Sequence, residues 1–375
     1  MRRRHLIQAA LASSALPLSA IAQDSNDIVV AHIGAFTVLP ALDPVWLHEG
    51  FAAAFDEVNA RGGINGRQVR MLKFDDAYSF DGFKARLAEA MASKPVALLS
   101  PLGSATLKAV LDNHVLDQND VVVINAVPGA TVLREPGHPR LFHIRAGDDQ
   151  QIAKIVSHAR ALNIQSMGVL YQNIPIGSSG FASAQAAAKG TSLEVVGFES
   201  DIDDADLAKA AQQVAKRNPH AALVVGNPKF MGQGIAALRA AGISQQIFAL
   251  SYLPADVLHK LAGKGARGVG IAQTFPNPLG VTQPLHRAFR AAMQKTHPDL
   301  KGAYTTFNME GYITARVFIE AARRAKSITP AGIAEALRRA GEIDLGGFRV
   351  NFSKGNEGSQ WVDIGVVTAD GKLLY

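Results

Sequence analysis

Cysteine is absent from the chain, which excludes disulfides, a thiol nucleophile, thiolate metal ligands and lipid attachment through cysteine. Charge is sparse as well: 19% of the residues are Asp, Glu, Lys or Arg, and the formal net charge is +6. Arg2, Arg3 and Arg4 lie in a segment read below as cleaved, and their removal leaves +3, too mild a balance for a nucleic-acid partner. Membrane-spanning length is missing too, because the apolar stretch Leu6 to Leu18 is too short to cross a bilayer. The 11 histidines are scattered without H-E-x-x-H or comparable spacing, so neither a metal nor a cofactor is expected. Gly263-Lys264-Gly265-Ala266-Arg267-Gly268 matches G-x-G-x-x-G literally but follows a helix and precedes a strand, the reverse of the dinucleotide-binding order. Gly177-Ser178-Ser179-Gly180 lacks the spacing of a nucleophile elbow. With no nucleophile, metal set or phosphate loop in proper context, no catalysis is expected.

What is present begins with an export signal. The basic cluster Arg2 to Arg4, the apolar stretch to Leu18 and Ala20-Ile21-Ala22 before Gln23 form a secretory signal peptide over residues 1–22, cleaved after Ala22. Arg3-Arg4-His5-Leu6-Ile7-Gln8 also resembles a twin-arginine signal, and the export route stays open between the two. The product is expected in an extracytoplasmic compartment as a soluble protein without a lipid anchor.

The remaining chain is long enough for two full cores and, at 48% hydrophobic, has ordinary globular composition. Strand-like runs at Ile28–Ile33, Gln68–Phe74, Val96–Ser100 and Val121–Asn125 alternate with helical spacings such as Leu47, Phe51, Phe55 and Val58. A second series runs Met167–Tyr171, Glu194–Phe198, Ala221–Val225, Ile247–Leu250 and Val269–Ala272, with helices from about Ser178 and Met231 between them. Alternation of this kind predicts parallel sheets with crossover helices, hence an α/β fold of two lobes. The last third differs, with long helical patterns at Gln283–Lys295 and Phe307–Ala325, a capped helix starting at Thr329-Pro330, and a hairpin from Trp361 to Tyr375 turning at Asp370-Gly371.

The stretch Val96–Leu111, VALLSPLGSATLKAVL, reads as strand, turn and helix start. Ligands bind in the crevice at the carboxyl ends of such strands, where free N–H groups and the positive helix end point outward. Ser104 either caps its own helix or, with the amides of Ala105 and Thr106, offers charge-assisted hydrogen bonds to a carboxylate.

Val58-Asn59-Ala60-Arg61-Gly62-Gly63-Ile64-Asn65-Gly66-Arg67 resembles the signature of the periplasmic solute-binding proteins of the leucine/isoleucine/valine-binding family. The likeness continues through Asp75-Asp76, Gly103-Ser104, Phe142–Asp149, Leu261-Ala262-Gly263, Glu310-Gly311-Tyr312 and Gly346–Phe352. It implies a type I periplasmic binding protein fold, with two Rossmann-like lobes joined by a three-crossing hinge. The lobes would comprise residues 24–145 plus 276–347 and residues 146–275 plus 348–375. It also implies an extracytoplasmic solute-binding protein of an ABC importer, a monomer that meets a membrane permease transiently and captures a small carboxylate between closing lobes.

The family's ligand contacts carry over onto Ser104, Ala105 and Thr106, onto Val127 and Gly129, onto Ile176 where a tyrosine is usual, and onto Ser251 where an acid usually pairs with an α-ammonium. Asn227, at the head of Asn227-Pro228-Lys229, stands across the lobe, and Trp46, Tyr252 and Phe275 are either ligand-stacking or core aromatics. The ligand class is therefore an amino acid or an aromatic or aliphatic acid. The departures at Ile176 and Ser251 favour an acid without an α-ammonium. A ligand-sensing regulator of the same fold is the alternative, disfavoured by the export signal. A secreted Rossmann-like enzyme is disfavoured by the missing chemistry.

Overall fold

A computed structural model describes residues 26–38 and 43–375, and the export signal read at residues 1–22 lies outside them. The first sheet holds β1 (Ile28–Gly34), β2 (Val69–Asp75), β3 (Ala97–Leu99), β4 (Val122–Ile124) and β5 (Leu141–Phe142), in the order β2-β1-β3-β4-β5. Every pair in it is parallel. β1, β3 and β4 are buried along their whole length, as strands covered by helices on both faces must be, which is why they read as apolar runs, broken only by His32 in β1.

The second sheet is built on β6 (Ser166–Gln172), β7 (Glu194–Ser200), β8 (Ala221–Val225), β9 (Gln246–Ala249) and β10 (Gly270–Gln273). After β10 the chain forms a separate hairpin, β11 (Glu342–Asp344) with β12 (Arg349–Asn351), and then returns as β13 (Asp363–Val367) and β14 (Leu373–Leu374). The order is β14-β13-β10-β9-β8-β6-β7, parallel from β7 to β10 and antiparallel at β13 and β14. The terminal hairpin turns at Gly371, whose φ of 75° suits glycine.

Helix starts follow their sequence signals. Thr329 caps the helix Pro330–Arg339 by accepting from the Gly332 N–H at 3.1 Å, and Asp203 caps Asp204–Arg217 by accepting from Ala205 and Asp206. Two helices begin three residues before their apolar spacing does, at Pro175 and Pro228. Proline at the first position already holds a helical φ and has no N–H to satisfy, so the helix extends back to it.

The last third of the chain covers the first lobe. Helix Asp43–Asn59 packs along helix Thr306–Arg324, and the backbones touch at Gly50 and Gly311. A Cβ on Gly311 would collide with the Leu47 carbonyl, and one on Gly50 with the Asn308 carbonyl.

Candidate functional site

Between the two sheets, at the carboxyl ends of their strands, lies a cavity of about 320 Å³. Ser104 stands on its edge as the first residue of helix Ser104–Asp112. The cap position belongs to Gly103, at φ 88°, so no side chain caps this helix, and the first intrahelical bond is made only by the Leu107 N–H to Gly103 at 2.9 Å. The amides of Ser104, Ala105 and Thr106 thus have no intrahelical acceptor. Asp43, Tyr78, Leu102, Val127, Pro128 and Ala130 complete this side.

The opposite wall comes from the second lobe. Ile174, Ile176 and Ile202 form an apolar surface, and Gly226, Asn227, Pro228 and Lys229 form a rim at the start of helix Pro228–Ala240. The Asn227 side chain accepts from the Phe230 N–H at 2.8 Å, so its oxygen is committed to capping that helix.

At the floor, Tyr252 joins the lobes. Its hydroxyl accepts from the Gly129 N–H at 2.7 Å and donates to Asp148 Oδ1 at 2.5 Å. Asp148 is the first residue of helix Asp148–Ala161, and its Oδ2 is buried without a hydrogen-bond partner among the described residues. Asp43 Oδ1 is in the same condition. Burial pushes the Asp43 carboxyl up to about 7, against the pull of Arg145 and reinforced by Glu310 and Asp256. Burial also raises Asp148, opposed by the Tyr252 hydrogen bond and by Arg134.

Behind the floor, where the chain leaves β5, Arg145 is buried with 2% exposure. Its Nε donates to Glu310 Oε1 at 3.0 Å, its Nη2 donates to Glu310 Oε2, and its Nη1 donates to the Ser251 hydroxyl at 2.5 Å. The guanidinium lies over the rings of Tyr252, Phe275 and Phe307, 5.2 to 5.7 Å from their centroids. Asn125, in the left-handed region at φ 64°, donates to Glu310 at 3.0 Å and accepts from the Arg145 N–H at 2.8 Å.

Of the residues expected at the ligand, the structure brings Ser104, Val127, Ile176, Asn227 and Tyr252 to the cavity lining. The others stand elsewhere. Ser251 is turned away to receive Arg145, and its N–H donates to Gln151 Oε1 at 3.0 Å. Phe275 is buried under the same guanidinium and packs on Phe348. Trp46 stacks on Phe307 at 6.4 Å. Ala105 is exposed, Thr106 is buried beside Gly103, and Gly129 supplies backbone groups to Tyr252, Arg134 and Asp148. The segment Ala249–Leu253 offers no acid where the family's usual one would stand, but two carboxyls, Asp43 and Asp148, reach the cavity lining from other elements. Both read as helix starts in the sequence, and no local signal separates a helix start that faces a cleft from one that faces solvent.

A family model described as "Periplasmic binding protein" matches residues 45–372. The chain belongs to this periplasmic binding protein family. Within the family it is similar to the extracellular ligand-binding receptor of Verminephrobacter eiseniae, with 45% identity, a TM-score of 0.89, and coverage of 93% of this chain and 100% of that one. The substrate-binding periplasmic protein of Ralstonia solanacearum follows at 26% identity and TM-score 0.81, covering 93% and 99%. The Leu/Ile/Val-binding protein of Escherichia coli K12 is 23% identical over 288 residues, 75% of this chain and 76% of that protein. This member of the family is a solute-binding protein of the leucine-binding type with the two-lobed type I fold, and it is not an enzyme. No group of three His, Asp or Glu suited to a metal occurs among the described residues.

Proposed function

We propose that this periplasmic binding protein is the solute receptor of an ABC importer and captures a small carboxylate with an apolar body between its lobes. The observation that carries the reading is Ser104, the first residue of an uncapped helix, which lines the interlobe cavity opposite Ile174, Ile176 and Ile202. A carboxylate there takes charge-assisted hydrogen bonds while its body covers apolar surface. Relatives named for binding leucine, isoleucine and valine support a ligand of that size. The lobes are residues 24–145 plus 276–347 and residues 146–275 plus 348–375. The mature protein starts at Gln23, works as a monomer and docks on its permease when loaded.

A thermal-shift screen of aliphatic, aromatic and amino acids tests the reading, because a ligand that binds only the native state raises its melting temperature. A screen in which no carboxylate stabilises the protein, while uncharged solutes do, would overturn it.

A further inference from the structure

The cavity holds more acid than a carboxylate ligand tolerates. Asp43 is 6% exposed and Asp148 4%, each with one buried oxygen that has no hydrogen-bond partner among the described residues, and both line the space beside Ser104. A third carboxylate brought into that space would be enclosed with two others. Like charges confined in a low-dielectric site do not all stay ionised, and the mutual repulsion is relieved when one group takes a proton.

The surroundings single out which group that is. Asp148 is committed as an acceptor to the Tyr252 hydroxyl and lies in the field of Arg134, both of which favour its ionised form. Asp43 has no side-chain hydrogen bond among the described residues, and only its own backbone N–H and the field of Arg145 favour its ionised form. On its first-lobe side stand Tyr78 and Glu310; from the crossing and the second lobe come Arg145 and Asp256. The Arg145 charge is already matched by Glu310 in a two-armed pair, so little of it is left for Asp43. Lys229 stands on the far rim, at the start of helix Pro228–Ala240, and Asp148 and Tyr252 at the floor.

We propose that capture of the carboxylate is linked to uptake of one proton from solvent, held on the Asp43 carboxyl, which then donates a hydrogen bond to the ligand instead of repelling it. No bond of the ligand is made or broken; the proton passes from water to Asp43 on binding and back on release. The proposal rests on the carboxylate reading above and gives the site a polarity of its own. A ligand bearing an ammonium next to Asp43 would have the opposite effect, ionising Asp43 and releasing a proton.

Titration calorimetry with benzoate, isovalerate and leucine, run at pH 8 in phosphate and in Tris, counts the protons exchanged from the difference in buffer ionisation heats. The expected result is uptake approaching one proton per benzoate or isovalerate bound, with affinity falling about tenfold per pH unit above pH 8. Asp43→Asn keeps a donor in place and should bind the acid with no proton uptake and with affinity level across pH 6 to 9. Asp148→Asn should keep the uptake. An acid that binds wild type without proton exchange overturns the linkage while leaving the carboxylate reading intact. Uptake that persists in Asp43→Asn overturns the assignment to Asp43. Binding of leucine alone, without proton uptake, overturns the linkage as well. Failure of all three to bind removes the carboxylate reading and this inference with it. The wild-type proton count decides the question even if a variant does not fold.

Discussion

Arg145 and Glu310 form a two-armed ion pair at 2% and 1% side-chain exposure, at the point where the chain first passes from one lobe to the other. Removing one partner leaves an uncompensated buried charge, so Glu310→Gln should destabilise the protein by about 3 to 5 kcal/mol. Replacing both with apolar residues, Arg145→Met with Glu310→Leu, should recover most of that loss. Urea unfolding of the single and double variants decides it; a single variant as stable as wild type would show that the pair contributes nothing.

Asp43 makes stability depend on pH in a definite direction. Its carboxyl is raised from 3.8 to about 7, so the native state binds more protons than the unfolded chain between those values. Its contribution is fully present below about pH 4 and is lost as pH rises through 7, a change on the order of 4 kcal/mol. The unliganded Asp43→Asn variant should lack this component and gain on wild type as pH rises. Parallel pH–stability curves for the two would contradict it.

Ser104→Ala removes one charge-assisted hydrogen bond to the bound carboxylate and should weaken binding by about 1.5 to 3 kcal/mol, roughly ten- to hundredfold. Since Ser104 does not cap its helix, the melting temperature of the unliganded protein should barely move. Unchanged affinity by calorimetry would place the carboxylate elsewhere.

Gly311→Ala sets two effects against each other. Alanine favours an exposed helix by about 1 kcal/mol, but here the new methyl meets the Leu47 backbone carbonyl, which cannot rotate away. Overpacking of that kind costs up to about 3 kcal/mol, so the net change should be destabilising by about 2 kcal/mol. A higher urea midpoint for the variant would mean that the two helices separate freely.

Closure should be visible in solution. Both lobes line the cavity, and in the type I fold only three passages of chain resist their rotation. Small-angle scattering should give a smaller radius of gyration once a stabilising acid from the screen is added at saturation; an identical profile would argue for a rigid cleft.

The fold was legible because its signals are local. Strands enclosed on both faces are written as apolar runs, Asn65-Gly66 takes positive φ at both residues as a tight turn requires, and Thr329-Pro330 starts its helix as caps do. The starts at Pro175 and Pro228 were legible too, had proline outweighed apolar spacing. The site was legible only in part. Ser104, Val127 and Ile176 followed from likeness to a family, and Asn227 and Tyr252 from their place near its mapped contacts, whereas the position of Ser251 depends on Arg145, more than a hundred residues away. Asp43 and Asp148 look like any acid at a helix start, and only the packing of two lobes turns them toward one space.

The three isoleucines that line the cavity, Ile174, Ile176 and Ile202, all stand on the second lobe, opposite Ser104 and Asp43. On the carboxylate reading, an open protein would meet a ligand first through Ser104 and Asp43, and the isoleucines would cover it only when the cleft shuts. Encounter rates should be similar across a series of acids, while dwell times lengthen with each methylene that the isoleucines cover, so that selectivity is exercised at the moment of escape rather than at arrival.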